Sequence, residues 1–535
     1  MTISRRNLLL GVLAGGTVSR FSRSGLFSHV FASAAQRDLA TDPRRPQFHL
    51  LPAANWMNDP NGPIYWNGQY HMFYQYNPDG AFWGDMHWGH AMSPDMVHWA
   101  HLPVALSPTP GGPDASGCFS GTVVVDRGVA TALYTGVVSV PENHATSRDG
   151  IHSLRESQCL ATSTDPELRK WSKLHGPVID SPPKGLFVTG FRDPSPWRQG
   201  KWWYMVVGSG FPQRCGVILL YRSKDLRHWK YLHVAANGES IVKYHTNPVE
   251  SGDMWECPDL FPLDGKHVLI YSSQGKVHWQ VGELNAETML FHPEREGILD
   301  YGSFYAAKTQ LDDRGNRILW GWIPETRPLK QYRAAGWAGM MSLPRVLRVG
   351  KDGSLALQVA PAVTILRGRQ QVLHITPDED QSKEQIEKMA IEDCCGEILC
   401  TFEKPKGPIT LSLYGMEPGG TTEEQWLQLR YTPEEQNQLM IDEDVIPVDL
   451  QNINGLEVHM YMDGSVVELF LNKQFSYTKR VYYAGERAPT MRLRLLGEKT
   501  CLSCCSMWQL NPISTNRLTT YCWDETPPPF VAKFS

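Results

Sequence analysis

The chain lacks a strong charge of either sign, and it lacks the long apolar runs of membrane proteins. Its 51 Lys and Arg residues nearly balance 56 Asp and Glu residues, and the basic residues are scattered along the 535-residue sequence. Scattered basic residues argue against a nucleic-acid partner, and no stretch is apolar over the length that a bilayer span needs. A chain of this length predicts two or three domains.

The 11 cysteines show neither a metal-binding spacing nor the regular spacing of a disulfide framework. The cluster CLSCC at 501–505 and the pair Cys394-Cys395 are not matched by histidines or by a second CxxC pair at zinc spacing. The sequence therefore predicts no metal site. It favours buried free thiols, with at most one disulfide after export.

Residues 1–34 have the features of an export signal. Arg5 and Arg6 precede a short apolar run, LLLGVLAGG, and Ala32-Ser33-Ala34 offers a small-residue cleavage site. We therefore predict a twin-arginine-like signal that exports the folded protein to the periplasm or the extracellular space. A frayed basic N-terminus is the alternative interpretation.

What the sequence has in abundance is aromatic residues, 18 Trp and 20 Tyr, and short strand-like runs. Five runs rich in β-branched and aromatic residues recur between 69 and 323, each bounded by turn residues. A motif of Ser, Asp and a following Trp recurs at 93–99, 163–171 and 223–229. Five units of four strands predict a five-bladed β-propeller over residues 46–350. A tandem of β-sandwiches is the competing architecture.

The character of the sequence changes near residue 350. Residues 351–370 suggest a linker, and the alternating strands of residues 371–535, such as LEVHMYMDGSVVELFLN, predict a second all-β domain. The predicted fold class is therefore all-β, a five-bladed β-propeller followed by a β-sandwich. The first domain is richer in Trp, His and unusual loops, so the chemistry is expected there.

Three acids in the first domain share an uncommon context. Asp59 in NWMNDPNGP, Asp193 in GFRDPSPW and Glu256 in MWECPDLFPL lie among aromatic residues, are followed by Pro, and precede a strand run. If these runs are innermost strands, the three acids converge at one end of the propeller channel. Asp59 itself is predicted to lie in a rigid turn. The alternative for each acid is a turn cap or a surface ion pair.

Three converging carboxyls suit the cleavage of a glycosidic bond. One acid must protonate the departing oxygen and one carboxylate must meet the cationic sugar carbon, and different surroundings must separate their pKa values. Apolar neighbours on both sides predict a raised pKa for Glu256. Amides around Asp59 would keep it ionised, and Arg192 next to Asp193 predicts a pair that clamps two sugar hydroxyls.

The motifs resemble those of glycoside hydrolase family 32, the invertases, inulinases, levanases and related fructosyltransferases. NWMNDPNGP, FYQYNP, FSGT, FRDP and WECPDLF occur in the family's order between 46 and 350, with weaker matches at 463–472 and 478–483. The resemblance implies a five-bladed propeller plus a β-sandwich, acting on β-linked fructose with retention and without a cofactor. A retaining pair of carboxyls is expected to lie about 5–5.5 Å apart.

The resemblance also implies a role for each acid. Asp59 is the expected nucleophile, Glu256 is the expected acid and then base, and Asp193 is expected to stabilise the transition state by holding fructose hydroxyls. The residues expected to bind substrate around these acids are Arg192, Asn58, Gln75, Trp83, Ser120 and Trp56.

One segment departs from the family pattern. In DYGSFYAAKT at 300–309, Asp300 matches an acid associated with sucrose in plant-type invertases, whereas Ser303 replaces the lysine associated with it. Asp300 is therefore predicted to bind substrate and favours sucrose, and Ser303 weakens that preference. Lys308 is a different position and does not replace the lysine.

The sequence thus predicts an exported β-fructofuranosidase that cleaves terminal β-D-fructofuranosyl bonds of sucrose or short fructans. The alternatives are a fructosyltransferase, a fructan exohydrolase of inulinase or levanase type, and a catalytically silent fructan-binding protein. The three acids argue against the silent protein, since binding alone needs no acid of tuned pKa. Propellers that cut arabinan or xylan are a further alternative, although the NDPNG motif is not expected in them.

Overall fold

The computed structural model describes residues 39, 41–148, 152–238, 247–374, 389–404, 407–418, 420, 423–432, 438–448, 455–497, 501–513 and 520–522. The predicted export signal at residues 1–34 lies outside this part of the chain. Among the described residues, no helix is both long enough and apolar enough to cross a membrane. Five β-sheets form an N-terminal propeller and two form a C-terminal sandwich, as the sequence predicts.

The first two blades run from residue 55 to residue 173. Blade one contains, in spatial order, β1 (Asn55–Trp66), β2 (Gln69–Asn77), β3 (His87–Ser93) and β4 (Trp99–Leu106). Blade two contains β5 (Gly117–Asp126), β6 (Val129–Ser139), β7 (Ser147–Arg148), β8 (Ser153–Ser163) and β9 (Ser172–Lys173), with a 3-10 turn at Glu142–His144. Here β8 pairs with β6, and both β7 and β9 pair with β8.

Blades three and four each consist of four consecutive antiparallel strands. Blade three contains β10 (Phe191–Gln199), β11 (Trp202–Phe211), β12 (Cys215–Ser223) and β13 (Trp229–Asn237). A one-turn helix, α1 (Pro248–Ser251), precedes blade four, which contains β14 (Glu256–Leu263), β15 (Lys266–Ser273), β16 (Lys276–Leu284) and β17 (Phe291–Ile298).

Blade five continues beyond the predicted end of the propeller at residue 350. The chain here forms, in order, β18 (Tyr305–Leu311), β19 (Arg317–Ile323), α2 (Leu329–Ala335), β20 (Trp337–Ala338), β21 (Met340–Met341), β22 (Arg345–Val349) and β23 (Leu355–Val359). Of these strands, β20 joins the sheet of blade one and the others form blade five. The sheet order is β18-β19-β22-β23, and β20 pairs in parallel with β1. The predicted linker 351–370 is corrected here, because β23 buries Leu355 and Leu357 as the fourth strand of this blade.

The first strands of the five blades form a closed ring. Strand β1 contacts both β5 and β18, β10 contacts both β5 and β14, and β14 contacts β18. Each first strand is joined to the second by a short hairpin, and in β1–β2 the two-residue turn Asn67-Gly68 has positive φ at both positions. Such turns match the right-handed twist of the strands. The ring is the frame on which the site is built.

The repeated Ser-Asp-Trp motif forms the outer turn of its blade. In the copy between β3 and β4, the Asp95 carboxylate accepts hydrogen bonds from the backbone N–H groups of Val97 (2.9 Å) and His98 (2.8 Å), and the Trp99 indole donates to the Met96 carbonyl. The copies at Asp165 and Asp225 make the same kind of Asp-capped turn. These aspartates are structural.

Three histidines are buried within blade one. His71 Nδ1 lies 2.9 Å from His90 Nε2, and the Tyr74 hydroxyl lies 3.1 Å from His101 Nδ1. Burial lowers the pKa of His71 to about 4. Burial and the nearby Arg45 charge lower the pKa of His101 to about 3. All three imidazoles are therefore neutral in the folded protein near pH 7.

We expect the free energy of unfolding to decrease as the pH falls from about 6.5 to about 4. Unfolded histidine takes up a proton near pH 6.5, whereas His71 stays neutral until about pH 4, so the unfolded state binds more protons across this window. Urea unfolding across this pH range measures the slope. His71→Gln should make the slope shallower, since His90 and His101 still contribute, and His144→Gln, at an exposed histidine, should leave it unchanged; equal slopes in the two variants would contradict the assignment.

The C-terminal domain is a sandwich of two six-stranded sheets. Its strands are β24 (Arg367–His374), β25 (Ala390–Ile391), β26 (Cys395–Glu403), β27 (Ile409–Met416), β28 (Glu423–Thr432), β29 (Gln438–Ile441), β30 (Asp444–Ile446), β31 (Gly455–Asp463), β32 (Val466–Leu471), β33 (Phe475–Arg480), β34 (Thr490–Gly497) and β35 (Leu502–Leu510). One sheet has the order β24-β35-β26-β31-β32-β33 and the other β25-β34-β27-β28-β29-β30. Short 3-10 segments lie at Pro361–Leu366 and Glu392–Cys394, and β36 (Thr520–Cys522) pairs with β4 of blade one.

The facing sides of the two sheets carry the apolar core of the sandwich, which includes Leu413, Leu427, Leu469 and Met507. The ten cysteines whose side chains are described are free thiols, and nine of them are buried. This agrees with the buried free thiols that the sequence favours.

Candidate active site

The first strand of every blade is interrupted by a β-bulge near its start. The register with the second strand shifts between Met57 and Pro60 in β1, Cys118 and Gly121 in β5, Arg192 and Ser195 in β10, Glu256 and Asp259 in β14, and Tyr305 and Lys308 in β18. A bulge bends a strand and redirects its side chains. Because the five first strands contact one another, their bulges gather at one end of the ring.

The segment NWMNDPNGP lies within strand β1, so the predicted rigid turn at Asp59 is corrected. The innermost strands are the acid-bearing segments themselves, and the strand runs that follow them are the second strands. The reason is the edge position of each first strand, since an edge strand tolerates Pro where no neighbour needs its N–H group. Pro and Gly accordingly mark a bulged edge strand here rather than a loop.

Asp59 is held from both sides of its carboxylate. Asn58 Nδ2 donates to Asp59 Oδ1 at 3.0 Å, and Ser120 Oγ donates to Asp59 Oδ2 at 2.7 Å. Asn58 is oriented in turn by the Trp56 indole, which donates to Asn58 Oδ1 at 2.7 Å. Only 5% of Asp59 is exposed, and these hydrogen bonds fix the direction of its carboxylate.

Asp193 is the second buried acid, and its backbone lies at φ 66° within the bulge of β10. The Cys257 backbone N–H donates to Asp193 Oδ2 at 2.8 Å, and the Thr135 hydroxyl accepts from the Asp193 N–H. Burial raises the pKa of Asp193 to about 6; Glu256 and Asp59 add to this rise and Arg192 opposes it.

The Cys257 thiol separates two of the acids. Its Sγ lies 3.5 Å from Asp59 Oδ2 and 3.5 Å from Asp193 Oδ2, so both carboxylates border one sulfur atom. Burial and these two negative charges raise the pKa of Cys257 well above its usual value. The thiol is therefore a neutral spacer in the cluster.

Glu256 is contacted by a guanidinium and a phenol rather than by apolar groups alone. Arg192 Nε and Nη2 donate to Glu256 Oε1 at 3.1 and 3.0 Å, and the Tyr305 hydroxyl donates to Glu256 Oε2 at 2.7 Å. The apolar surroundings inferred from the flanking residues are therefore corrected. The partners that face the carboxyl come from other blades, and residues that neighbour Glu256 in the sequence do not reveal them.

Arg192 joins two glutamates. Its Nη1 donates to Glu156 Oε1 at 2.7 Å, while its other nitrogens hold Glu256. Burial alone would lower the pKa of Arg192, but Glu156 and Glu256 raise it well above its usual value. Three N–H groups of Arg192 are used by these two glutamates, and the clamp of Arg192 with Asp193 on sugar hydroxyls stays a prediction.

Nine of the ten predicted site residues line one pocket. They are the acids Asp59, Asp193 and Glu256 together with Asn58, Gln75, Trp83, Ser120, Arg192 and Trp56. Gln75 reaches the pocket from the second strand of blade one and donates to the Cys118 carbonyl at 2.9 Å. Trp83 lies in the loop that follows and meets Phe119 edge-on, with ring centroids 6.0 Å apart.

Asp300, the tenth predicted residue, does not reach the pocket. Its side chain is fully buried between the two domains, where it accepts hydrogen bonds from the Thr478 hydroxyl (2.7 Å), Ser476 Oγ (3.0 Å) and Arg345 Nη1 (3.0 Å). All three bonds go to Oδ2, and Oδ1 accepts from the backbone N–H groups of Thr478 and Gly302, each at 2.9 Å. The prediction that Asp300 binds substrate is therefore corrected, and the inference that it favours sucrose loses its basis.

Several residues of the site carry no motif in the sequence. The further pocket residues are Phe119, Ser147, His152, Leu154, Thr189, Asn247, Pro248, Val249 and Trp322. Phe119 lies in the FSGT motif, and Trp322 lies in RILWGWI at 317–323, the last of the five strand-like runs. Sequence reasoning could therefore have included these two residues. Glu156 lies in β8 with no distinguishing neighbours, and only the fold reveals its contact with Arg192.

In the part of the chain that the structure describes, no group of three or more His, Cys, Asp or Glu side chains is arranged to hold a metal ion. The pocket presents three carboxyl groups in different surroundings: one rigid buried aspartate, one glutamate between an arginine and a tyrosine, and a third acid of raised pKa.

A five-bladed propeller with converging acids in one axial pocket is the arrangement of a glycosidase, and the comparisons with known proteins agree. Residues 49–361 match the family model described as the glycosyl hydrolases family 32 N-terminal domain. The chain belongs to glycoside hydrolase family 32, as its motifs predict.

The relatives match more than half of the chain. A sucrose-6-phosphate hydrolase of Escherichia coli is 39% identical over 64% of this chain and 70% of its own length. A β-fructofuranosidase, insoluble isoenzyme CWINV3, of Arabidopsis thaliana is 33% identical over 69% of this chain and 63% of its own length. Among solved structures, the Bombyx mori family 32 β-fructofuranosidase BmSUC1 superposes with a TM-score of 0.71 at 28% identity, over 91% of this chain and 98% of the other.

Proposed function

We propose that this glycosidase cleaves terminal β-D-fructofuranosyl bonds of sucrose or short fructans, with retention, through a fructosyl intermediate on Asp59. The observation that carries the proposal is the convergence of Asp59, Asp193 and Glu256 in one pocket. The names of the relatives support the substrate class, since they are sucrose-6-phosphate hydrolases and β-fructofuranosidases.

In the first step, an Asp59 oxygen attacks the anomeric carbon of fructose while the bond from that carbon to the leaving oxygen breaks. Glu256 gives its proton to the leaving oxygen and becomes a carboxylate. The Arg192 guanidinium, 3.0 Å from Glu256 Oε1, stabilises the carboxylate that this step produces.

In the second step, Glu256 takes a proton from water, and the resulting oxygen displaces Asp59 from the anomeric carbon. Fructose leaves with its original configuration because the carbon has been inverted twice. Asp193 is proposed to accept hydrogen bonds from fructose hydroxyls, which strengthen as positive charge develops on the sugar ring.

The test of the proposed function is product analysis with four substrates: sucrose, sucrose 6-phosphate, an inulin-type oligomer and a levan-type oligomer. We expect equal amounts of glucose and fructose from sucrose. Glucose in excess of fructose would identify a fructosyltransferase, and fructose from the oligomers alone would identify an exohydrolase. Cleavage confined to the phosphorylated disaccharide would narrow the substrate class, and no release from any of them would leave a sugar-binding protein.

We also propose that residues 1–34 direct export through the paired Arg5 and Arg6. The plant relatives named as insoluble isoenzymes are consistent with an extracytoplasmic enzyme, although the sucrose-6-phosphate hydrolases named among the relatives give no such support. Replacement of both arginines by lysine should keep the activity inside the producing cells. Unchanged export of that variant would contradict a twin-arginine signal.

A further inference from the structure

The segment that carries Asp300 is bound to the sandwich by backbone as well as by side chains. The Tyr301 N–H donates to the Ser476 carbonyl at 2.9 Å, and the Ser303 N–H donates to the Thr478 carbonyl at 2.7 Å. Both acceptors lie on strand β33 of the sandwich. The segment thus pairs with a strand of the other domain immediately before it enters blade five.

Gly302 shows how close this contact is. A Cβ atom built on Gly302 would lie 2.0 Å from the Thr478 carbonyl oxygen and 2.7 Å from the Thr478 nitrogen. Real Cβ atoms do not approach backbone atoms so closely, so a side chain at this position would push the segment away from β33. The sequence has glycine where the two domains meet backbone to backbone.

A buried charge cluster locks the same junction. Arg345 donates to Asp300 Oδ2 and, through Nη2, to Glu468 Oε2 at 2.7 Å, and none of these side chains is exposed. His49 lies between two carboxylates: its Nε2 is 2.9 Å from Glu468 Oε1, and its Nδ1 is 2.8 Å from Asp463 Oδ2. Although burial opposes it, these two carboxylates raise the pKa of His49 to about 9. Each charge in the cluster has an opposite partner, as burial demands.

The locked segment leads directly into the pocket. Phe304 lies under the Arg345 guanidinium, whose carbon is 4.3 Å from the ring centroid. Tyr305 is the next residue and the first of β18, and its hydroxyl donates to Glu256 Oε2 at 2.7 Å. Glu256 Oε1 is held by Arg192. The two oxygens of the proposed acid are therefore oriented by blade three and by the sandwich-anchored start of blade five.

We infer that the sandwich domain is part of the catalytic apparatus, because it fixes Tyr305 and Tyr305 positions Glu256. The inference rests on the proposed function, in which Glu256 is the proton donor. Tyr305 is a positioning residue: its hydroxyl donates to the ionised carboxylate and can turn to accept when that carboxyl is protonated.

The first test is Tyr305→Phe, which keeps the ring and removes the hydroxyl. We expect kcat for sucrose to fall by roughly tenfold to a hundredfold with KM changed much less, since misplacement of a reacting group costs up to about two orders of magnitude. The alkaline limb of the pH profile should move to higher pH, because a hydrogen bond that stabilises the carboxylate is lost. The charged and titratable groups near Glu256 include Arg192, Asp193, Cys257, Tyr305 and, through Arg192, Glu156. Asp59 and Lys308 act on the neighbouring Cys257.

The second test weakens the link to the sandwich without touching the pocket. Thr478→Val preserves the shape of the side chain and removes the hydroxyl that donates to Asp300 Oδ2 and accepts from Arg345 Nη2, while the backbone pairing remains. We expect a smaller change of the same kind, in kcat and in the alkaline limb. In the double variant, Thr478→Val should reduce kcat little beyond the loss caused by Tyr305→Phe alone, since both substitutions act on one chain of contacts.

The matched control is Arg44→Ala. Arg44 also joins the two domains, through donations to the carbonyls of Tyr483, Ala484 and Gly485, but it does not contact the segment. This variant should keep the parental pH profile. If Thr478→Val only lowers the melting temperature, or if Tyr305→Phe keeps the parental kcat and pH profile, the inference is wrong. A parent protein that releases no fructose, or an active Glu256→Gln variant, would instead overturn the proposed function.

Discussion

Asp59→Asn is expected to reduce fructose release from sucrose by at least about four orders of magnitude, because an amide cannot serve as the nucleophile. The fold should survive. The amide oxygen can still accept from Asn58 Nδ2, and the Ser120 hydroxyl can turn to accept from the new amide N–H, so both existing contacts are preserved. Initial rates with sucrose, together with the melting temperature, measure the two expectations.

The matched control for Asp59→Asn is Asp114→Asn. Asp114 is also a buried aspartate of the propeller and accepts a hydrogen bond from Tyr134 at 2.8 Å, but it lies outside the pocket. This variant should lose stability and keep its rate constant per folded molecule. Comparable activity in Asp59→Asn and Asp114→Asn would remove the role assigned to Asp59.

Glu256→Gln is expected to lose about two to four orders of magnitude in kcat for sucrose, which is the usual contribution of a general acid. The loss should depend on the leaving group. A p-nitrophenyl β-D-fructofuranoside carries a leaving oxygen that needs no proton, so its bond should still break in the variant. The intermediate should then accumulate, because water is no longer activated, and azide should speed its breakdown.

Glu325→Gln is the control for this second variant. Glu325 is a buried glutamate paired with Arg327 at 2.8 Å, away from the pocket. In the Glu325→Gln variant, the rate should show neither a new dependence on the leaving group nor an increase with azide. An equal loss for sucrose and for the aryl fructoside in Glu256→Gln would mean that Glu256 does not donate the proton.

The sequence allows the three acids of the site to be predicted, because each acid stands in a recognisable local motif. Asp59, Asp193 and Glu256 stand in three separate repeats beside Pro and aromatic residues, and a repeat that becomes a blade places them equivalently. Their surroundings were not accessible. Asp193 meets Cys257 and Arg192 meets Glu156, contacts between residues 64 and 36 positions apart that arise only when blades pack side by side.

Asp300 shows the limit of reasoning by motif. Its position in DYGSFYAAKT matches an acid that the family resemblance associates with sucrose, yet here Thr478 and Ser476 from the sandwich occupy its carboxylate. Those partners lie more than 170 residues away along the chain, and no spacing rule predicts them. Likewise, the Pro and Gly of NWMNDPNGP indicated a turn because composition does not reveal that a strand lies at a sheet edge.

The measurement that tests the central claim most directly is peptide mass analysis of Glu256→Gln after brief mixing with p-nitrophenyl β-D-fructofuranoside. Our account predicts one fructosyl unit attached to the peptide that contains Asp59, and no adduct when Asp59→Asn is combined with Glu256→Gln. An adduct on Asp193, or a burst of nitrophenol without any covalent adduct, would contradict Asp59 as the nucleophile.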